Sequence, residues 1–334
     1  MAELVNSTDG VLVLSAAIVL AAGKGTRVKS VTPKMLLEMC GRTLVGHVGT
    51  AVAQLNPTHT VFVVRHEREQ IVGHLSEIFP DAIIADQDEV KGTGRAAWCA
   101  MEELPKDLTG SVLVVAGDCP MFTPETLGNL VAEHEREGAE NAVTVLSTVV
   151  PDAHGYGRIV REAVPGPELG RIMGVVEEKD ATPEQREIRE INTSTYVFDA
   201  AFLRESLGKI DANNAQGELY LTDLVQIAAL EGKGVGSYIA PDSIEAEGVN
   251  DLVQLANLRA AMNRRLCEKW MRTGVHIIDP ATTHLDVQVT LEPDAVIEPN
   301  TILRGQTHVA AFAHVGPFVE LVDADVPAHE RVRA

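Results

Sequence analysis

Through the first part of the chain, short runs of apolar and β-branched residues alternate with stretches whose apolar positions recur every three or four residues. The runs at Ser15–Leu20, His59–Val64, Ala82–Ala85 and Ser111–Ala116 read as buried strands, and the stretches at Thr43–Leu55, Glu67–Ile78 and Ala96–Leu104 read as helices. This βαβαβ order predicts a parallel sheet with helices on both faces and ligands at the carboxyl ends of its strands. Beyond Val150 the pattern changes to strands and loops, at 155–160, 174–179 and 190–198. Asn213–Asp223 then caps and opens a further helix, and 247–250 ends an extended segment. Asp251–Arg272 reads as an amphipathic helix through Leu252, Leu255, Leu258, Met262, Leu266 and Trp270, suited to a linking arm. From Val289 an aliphatic residue recurs at every sixth position, Leu291, Ile297, Leu303, Val309, Val315 and Leu321, with a small or β-branched residue two places before each. That period predicts a hexapeptide β-helix, and six hexads at three faces per turn make about two coils. Residues 1–13 read as a loose leader and the stretch from Asp323 as a polar, frayed tail. The expected organisation is a main α/β domain over 1–250, the arm over 251–274, and the short β-helix with its tail over 275–334.

A length of 334 residues is comfortable for two domains and ample for a buried core. The formal charge of −20 speaks against nucleic acid or an anionic membrane as the main partner, because either favours a basic face. Any basic patch must be local. Cys40, Cys99, Cys119 and Cys267 stand apart with no C-x-x-C pair, which suggests neither a zinc knuckle nor a disulfide framework and fits a reducing, cytoplasmic setting. The apolar run from Val11 to Ala22 is too short to span a bilayer and follows an acidic start, so it reads as the first core strand and not as a signal peptide.

The chemistry concentrates behind that strand, in Leu20–Leu36 (LAAGKGTRVKSVTPKML). Gly23 and Gly25 let the backbone turn closely round a ligand, and Lys24, Arg27 and Lys34 add positive charge beside exposed amides. The small Ala21 and Ala22 leave room for a flat base or ribose. This is the pattern of a polyphosphate cradle, and its competitor is a glycine-rich turn that binds nothing. The spacing is neither G-x-x-x-x-G-K-[ST] nor G-x-G-x-x-G, since Val28 stands at the third glycine position. In the loop Asp86–Arg95, Gln87 can donate to and accept from a base edge, and Gly92 and Thr93 offer backbone and a hydroxyl; Thr93 also suits a plain helix cap. Asp118 follows the most apolar strand in Gly117-Asp118-Cys119-Pro120, well placed to hold Mg²⁺ on a bound triphosphate, with an Asx turn as the alternative. Asn250 offers a second oxygen if the fold brings it beside Asp118. Gly157, Glu177 and Asn192 fall at turns or strand starts, as residues that bond the hydroxyls and amide of a sugar do. A solvated carboxylate and a turn asparagine are the ordinary fates of the last two. Cys119 reads as a small packed residue and not as a nucleophile.

In this order, LAAGKGTR with PK, QDEVKGTG, GDCP, GYGR, VEEKDAT, EINT, NNAQGELYLTD and EGVN closely resemble the uridylyltransferase domain of the bifunctional N-acetylglucosamine-1-phosphate uridylyltransferase/glucosamine-1-phosphate acetyltransferase family, over about residues 15–275. The hexads resemble the start of that family's acetyltransferase β-helix. The resemblance implies a Rossmann-like, GT-A-like α/β nucleotidyltransferase domain with a mixed sheet, then a helical arm and a short left-handed parallel β-helix. It implies that Ala22 and Gly23 lie against the uridine with Lys24 beside the nucleotide, that Gln87, Gly92 and Thr93 read the uracil, and that Arg27 and Lys34 face the phosphates. Asp118 and Asn250 would hold Mg²⁺, and Gly157, Glu177 and Asn192 would bind the sugar. Two positions depart from the family: Ala116, where tyrosine is frequent, and Ser194, where glycine is usual.

The implied reaction is uridylyl transfer from UTP to N-acetylglucosamine 1-phosphate, giving UDP-N-acetylglucosamine and pyrophosphate for cell-wall synthesis. The family's acetyl transfer needs many coils and a site between subunits, so with about two coils it is expected to be absent; homotrimer formation through the β-helix is left open. The rival expectations are another sugar-1-phosphate nucleotidyltransferase and a non-catalytic nucleotide-sugar-binding subunit. The sequence fits equally a natural single-function protein and a piece of the bifunctional enzyme.

Overall fold

The structure is a computed structural model that describes residues 14–166 and 169–334, so the expected leader lies outside the described residues. The chain forms two compact units, one comprising the chain up to Lys24 with Val48–Glu247, the other Gly25–His47 with Gly248–Ala334.

In chain order to Glu247 the strands and α-helices are β1 (Leu14–Leu20), β2 (Glu38–Met39), β3 (Arg42–Thr43), α1 (Leu44–Ala53), β4 (His59–Val64), α2 (Arg68–Ile78), β5 (Ile83–Asp86), α3 (Thr93–Glu103), β6 (Ser111–Ala116), α4 (Pro124–His134), β7 (Asn141–Val149), β8 (Gly157–Arg161), β9 (Ile172–Val176), α5 (Pro183–Arg186), β10 (Glu190–Asp199), α6 (Ala200–Ser206), α7 (Asp223–Leu230) and β11 (Gly234–Ile239). The first unit is built on a sheet of order β11-β7-β10-β6-β1-β4-β5, with β8 pairing β10 and β9. β1 runs parallel to β4 and β6, with Ile18 level with Val61 and Val114. β10 runs antiparallel to both β6 and β7. The sheet is therefore mixed, and the all-parallel expectation from the βαβαβ order holds for β1, β4, β5 and β6 but fails at β10, which the β8–β9 hairpin delivers in the opposite sense. β7 and β11 are strands that the apolar pattern alone did not single out.

Strand runs without alternation are apolar throughout because both faces are covered: Ala16, Ala17, Ile18 and Val19 are all inaccessible. On one face Ile18, Val61, Val63, Val112 and Val114 share a core with Ala97 and Met101 of α3, Phe202 and Leu203 of α6, and Leu224 and Val225 of α7. α4 starts at Pro124 because the Thr123 hydroxyl accepts the Thr126 N–H at 3.1 Å and proline suits the first turn.

In the second unit, α8 (Leu252–Arg272) is capped by Asp251, whose carboxylate accepts the Gln254 N–H at 2.8 Å. It buries Leu255, Leu258, Met262 and Leu266 as the spacing predicts, whereas Leu252 is half exposed and Asn263 and Cys267 complete the buried stripe. Behind it come β12 (His276–Ile277), β13 (His284–Leu285), β14 (Thr290–Leu291), β15 (Val296–Ile297), β16 (Ile302–Arg304), β17 (His308–Val309), β18 (His314–Val315), β19 (Glu320–Val322), β20 (Asp325–Val326) and β21 (Arg331–Val332). They stack into three parallel sheets, β12-β15-β18-β21, β13-β16-β19 and β14-β17-β20, which is a parallel β-helix.

Two expectations are corrected here. The β-helix begins at β12, before Val289, and was hidden because the first inward residues, Ile277 and Leu285, are eight apart instead of six. The stretch from Asp323 is no frayed tail, because β20 pairs with β17 and β21 with β18. The described strands thus complete three turns where about two were expected. The small inward positions include Thr283, Thr301 and Thr307, fully buried, whose hydroxyls donate to the Asp279, Glu298 and Arg304 carbonyls at 2.9, 2.7 and 2.7 Å and so cost no lost hydrogen bond. No helix among the described residues is long and apolar enough to cross a membrane.

Candidate active site

At the carboxyl edge of the first unit's sheet, β6 meets β1 closely. The Gly117 N–H donates to the Leu20 carbonyl at 3.0 Å, and a Cβ at Gly117 would stand 2.8 Å from that oxygen. This is why a glycine precedes Asp118. Asp118 itself is half-buried, and the buried Cys119 directs its thiol at the Asp118 Oδ1 (3.8 Å) and the Ala246 carbonyl (3.8 Å), as a packed residue does. Beyond β1, Ala22 packs against the core, while Gly23 is exposed, with nothing within 4 Å of an added Cβ. Its missing side chain leaves open space above the backbone; no neighbour in the fold demands it.

The same edge holds a cavity of about 180 Å³, reached by Leu20 from β1, Thr93 at the start of α3, Glu177 just after β9, Ser194 and Tyr196 from β10, and Gln216 to Thr222 from the loop before α7. Among the described residues, none that lines it is cationic. The three sugar candidates lie close together, and of them Glu177 lines the cavity. Asn192 pairs directly with Gly157 across β10 and β8, and a Cβ on Gly157 would lie 3.5 Å from both Asn192 Cβ and Glu177 Oε2. Burial pushes the Glu177 carboxyl above its ordinary range, the Thr222 hydroxyl donates to it at 3.4 Å, and Asp180 and Asp223 add to the upward push. Asp223, opening α7, is itself raised to about 6 by burial and by Asp211 and Asp180. The buried Arg158 anchors the turn beneath, pairing with Glu178 at 2.8 Å and donating to the Tyr156 carbonyl.

The Asp86–Arg95 loop is fastened to the pre-α7 loop. Gly94 N–H donates to the Leu219 carbonyl (2.8 Å), Leu219 N–H to the Lys91 carbonyl (3.0 Å), and Leu221 N–H to the Thr93 hydroxyl (3.1 Å). Thr93 is therefore not a helix cap; its hydroxyl accepts from across the loops. Gly92 has φ 115° and lies against Leu219, whose carbonyl an added Cβ would overlap. The Gln87 amide donates to the Val90 and Gly92 carbonyls at 2.9 and 3.2 Å, which spends its N–H groups within the loop and leaves its oxygen as the free end for a base.

In the second unit, Gly25 (φ 62°) packs on Lys34, and Arg27 and Lys34 converge on one oxygen. Asn250 Oδ1 accepts from Arg27 at 2.7 Å and from Lys34 at 3.4 Å. Asn250 is held by its own N–H, which donates to Gln254 at 2.7 Å. The two phosphate candidates and one metal candidate thus share a cluster there, and the other metal candidate, Asp118, belongs to the first unit. A divalent cation can be tested against the donor chemistry. The Asp118 carboxylate is a hard oxygen ligand, which fits Mg²⁺, an ion that takes one or two protein oxygens and fills its shell with water and substrate phosphates. The Asn250 oxygen is also hard, but it serves a guanidinium and an ammonium in this structure, so it fits only once they turn elsewhere.

Sequence reasoning missed Tyr196 and Thr222, and named Ser194 only as a departure from the family. A signal existed, because Asn192, Ser194 and Tyr196 fall at alternate positions of one strand. Ser194, where the resembling family usually has glycine, takes φ 57°, a conformation glycine adopts freely.

A family model described as the MobA-like NTP transferase domain matches residues 17–170. Among curated relatives, the "Bifunctional protein GlmU" of Thermobifida fusca is 51% identical over 315 residues, covering 93% of this chain and 64% of the relative. That of Streptomyces coelicolor is 48% identical over 318 residues, covering 95% and 65%. The chain therefore spans just under two thirds of the length of these relatives. Among solved structures, a UDP-glucose pyrophosphorylase complexed with UDP-glucose aligns with TM-score 0.59 at 15% identity, over 75% of this chain and 99% of that one. A nucleotidyl transferase from Methanothermobacter aligns with TM-score 0.51 at 19% identity, over 75% and 98%. At such identities these two establish the nucleotidyltransferase fold alone.

Proposed function

We propose that the chain belongs with the bifunctional GlmU proteins, to which it is similar over 93% of its length, and that it transfers a uridylyl group from UTP to N-acetylglucosamine 1-phosphate in the presence of Mg²⁺. The products are UDP-N-acetylglucosamine and pyrophosphate, and the setting is the cytoplasm, in keeping with four cysteines that are all free thiols. The observation that carries the reading is the meeting of Gly157, Glu177 and Asn192 beside a cavity lined by hydroxyls and carboxylates and, among the described residues, by no cation. Such a wall suits an uncharged ring rich in hydroxyls and bearing an amide. The phosphates need cations, and Lys24, Arg27 and Lys34 follow directly behind β1.

A phosphate oxygen of the sugar phosphate attacks the α-phosphorus of UTP in line; one P–O bond forms as the bond to the departing pyrophosphate breaks. The nucleophile is ionised at neutral pH, so no general base is required, and catalysis rests on positioning and charge. Arg27 and Lys34 turn from Asn250 onto phosphate oxygens, which as charged acceptors outcompete an uncharged amide. Asp118 and Asn250 are the residues that would hold the metal ion, which would supply positive charge against the phosphates. Ala22, Gly23, Gln87, Gly92 and Thr93 receive the uridine.

Incubation with UTP, N-acetylglucosamine 1-phosphate and Mg²⁺, followed by chromatography, should yield UDP-N-acetylglucosamine in equal amount to pyrophosphate; intact UTP would refute the reading. The proposal assigns this chain no acetyl transfer, so coenzyme A release from acetyl-CoA with glucosamine 1-phosphate would contradict it.

A further inference from the structure

β10 carries a bulge at the sugar wall. Asn192 and Tyr196 are four residues apart, yet their partners on β7, Ser147 and Val145, are only two apart. The extra residues let Thr193 turn inward, donating to the Leu146 carbonyl at 2.8 Å, and set Asn192, Ser194 and Tyr196 together. Asn192 is buried, and its carboxamide is fixed at both ends. The Ser194 N–H donates to its Oδ1 at 3.3 Å, and its Nδ2 donates to the Tyr196 hydroxyl at 2.7 Å. The orientation is forced, because a backbone N–H can only donate and must therefore face the amide oxygen. The Tyr196 oxygen is then an acceptor towards Asn192, and its own hydrogen must point elsewhere.

Tyr196 is 1% exposed and lines the cavity, and among the described residues Asn192 is its hydrogen-bond partner. Burial, then the nearby Glu177 carboxylate, push its phenol well above the ordinary range, so the hydroxyl keeps its proton. The cavity lining thus offers the Tyr196 O–H as donor and the Glu177 carboxylate as acceptor, and Asn192, bonded to Tyr196 from behind that lining, keeps one amide N–H not spent on it. Donors and an acceptor side by side complement a group that carries a carbonyl oxygen and an N–H together, which is an acetamido substituent and not a lone hydroxyl.

We infer that Tyr196 is a positioning and specificity residue of the sugar wall, which locks the Asn192 amide and with it selects an acetamido sugar phosphate over its hydroxyl analogue. The inference rests on the proposed uridylyl transfer. Tyr196→Phe removes one oxygen and keeps the ring, which packs at 5.5 Å against Phe198, so the core should stay intact.

The test measures steady-state kinetics of the wild type, Tyr196→Phe, Asn192→Ala and the double variant, each with N-acetylglucosamine 1-phosphate and with glucose 1-phosphate. The expected result for Tyr196→Phe is a KM for N-acetylglucosamine 1-phosphate raised about tenfold and a KM for UTP changed less than about twofold. Discrimination against glucose 1-phosphate should fall about tenfold, and the double variant should be no worse than Asn192→Ala alone. Unchanged KM and discrimination, an equal rise in both KM values, or additive effects in the double variant would overturn it. A wild type that turns over neither sugar phosphate refutes the uridylyl-transfer reading and this inference together; one that turns over both equally, or a selective wild type with a silent Tyr196→Phe, refutes only the inference.

Discussion

Asp118 is the side chain on which the proposed chemistry depends most. A half-buried carboxylate that holds Mg²⁺ contributes to the reaction and little to the fold, so Asp118→Ala should lower turnover at least about 100-fold and leave the melting midpoint within a few degrees. Normal turnover in Mg²⁺ would remove Asp118 from the mechanism. His47 makes the opposite case, a buried residue with a structural part. It donates from Nε2 to the Met39 carbonyl at 2.7 Å, and burial depresses its pKa to about 4. The unfolded chain, with a pKa near 6.5, binds the proton more tightly, so the stability from a neutral His47 is present above pH 6.5 and drains away as pH falls towards 4. The loss reaches about 3 kcal/mol at pH 4. His134, buried and likewise lowered to about 4, acts in the same direction. His47→Gln retains a donor without a titrating ring, so its melting midpoint should fall less between pH 7 and pH 4; an identical fall would contradict the assignment. At this scale residue type pointed to Gly157, Glu177 and Asn192 as candidates, and the fold brings the three close together. The sequence was silent where the reason lies in a distant neighbour: Gly92 is a glycine because Leu219, far along the chain, presses its backbone there.

Elements with a steady period were the readable ones, because period records burial. His59–Val64 and Ser111–Ala116 have the bounds their apolar runs suggest, and the hexads of the β-helix mark its inward residues. The bulge in β10 left no such mark, since its extra residues preserve the alternation of Asn192, Ser194 and Tyr196 while shifting their partners. The first coil was unreadable because eight residues separate Ile277 from Leu285. The fastening of the Asp86–Arg95 loop to the loop before α7 is an element-scale feature with a test of its own. Gly92→Ala places a methyl group on the Leu219 carbonyl at a positive φ, which should cost more than about 2 kcal/mol or force the loops apart. Because that loop is proposed to read the uracil, the KM for UTP should rise more than that for the sugar phosphate. Unchanged stability and unchanged KM for UTP would show that the fastening is incidental.

For the whole molecule, 48 acidic residues against 28 basic ones would face two proposed substrates that are themselves anions. Binding then depends on where the few cations stand, and the chain gathers Lys24, Arg27 and Lys34 within one short stretch behind its first core strand. The proposed sugar wall offers carboxylates and hydroxyls, so the two proposed substrates would be told apart by charge as well as by shape. The mixed sheet with its arm and β-helix was foreshadowed by the motifs taken together and by no single element, since the antiparallel β10 is set by pairing that local pattern does not encode. The most direct measurement of the central claim is pyrophosphate release with Mg²⁺ from each nucleoside triphosphate paired with N-acetylglucosamine 1-phosphate or glucose 1-phosphate. The account predicts rapid release from UTP with N-acetylglucosamine 1-phosphate and at least about tenfold slower release from every other pair; faster release from another pair, or none from any, would contradict it.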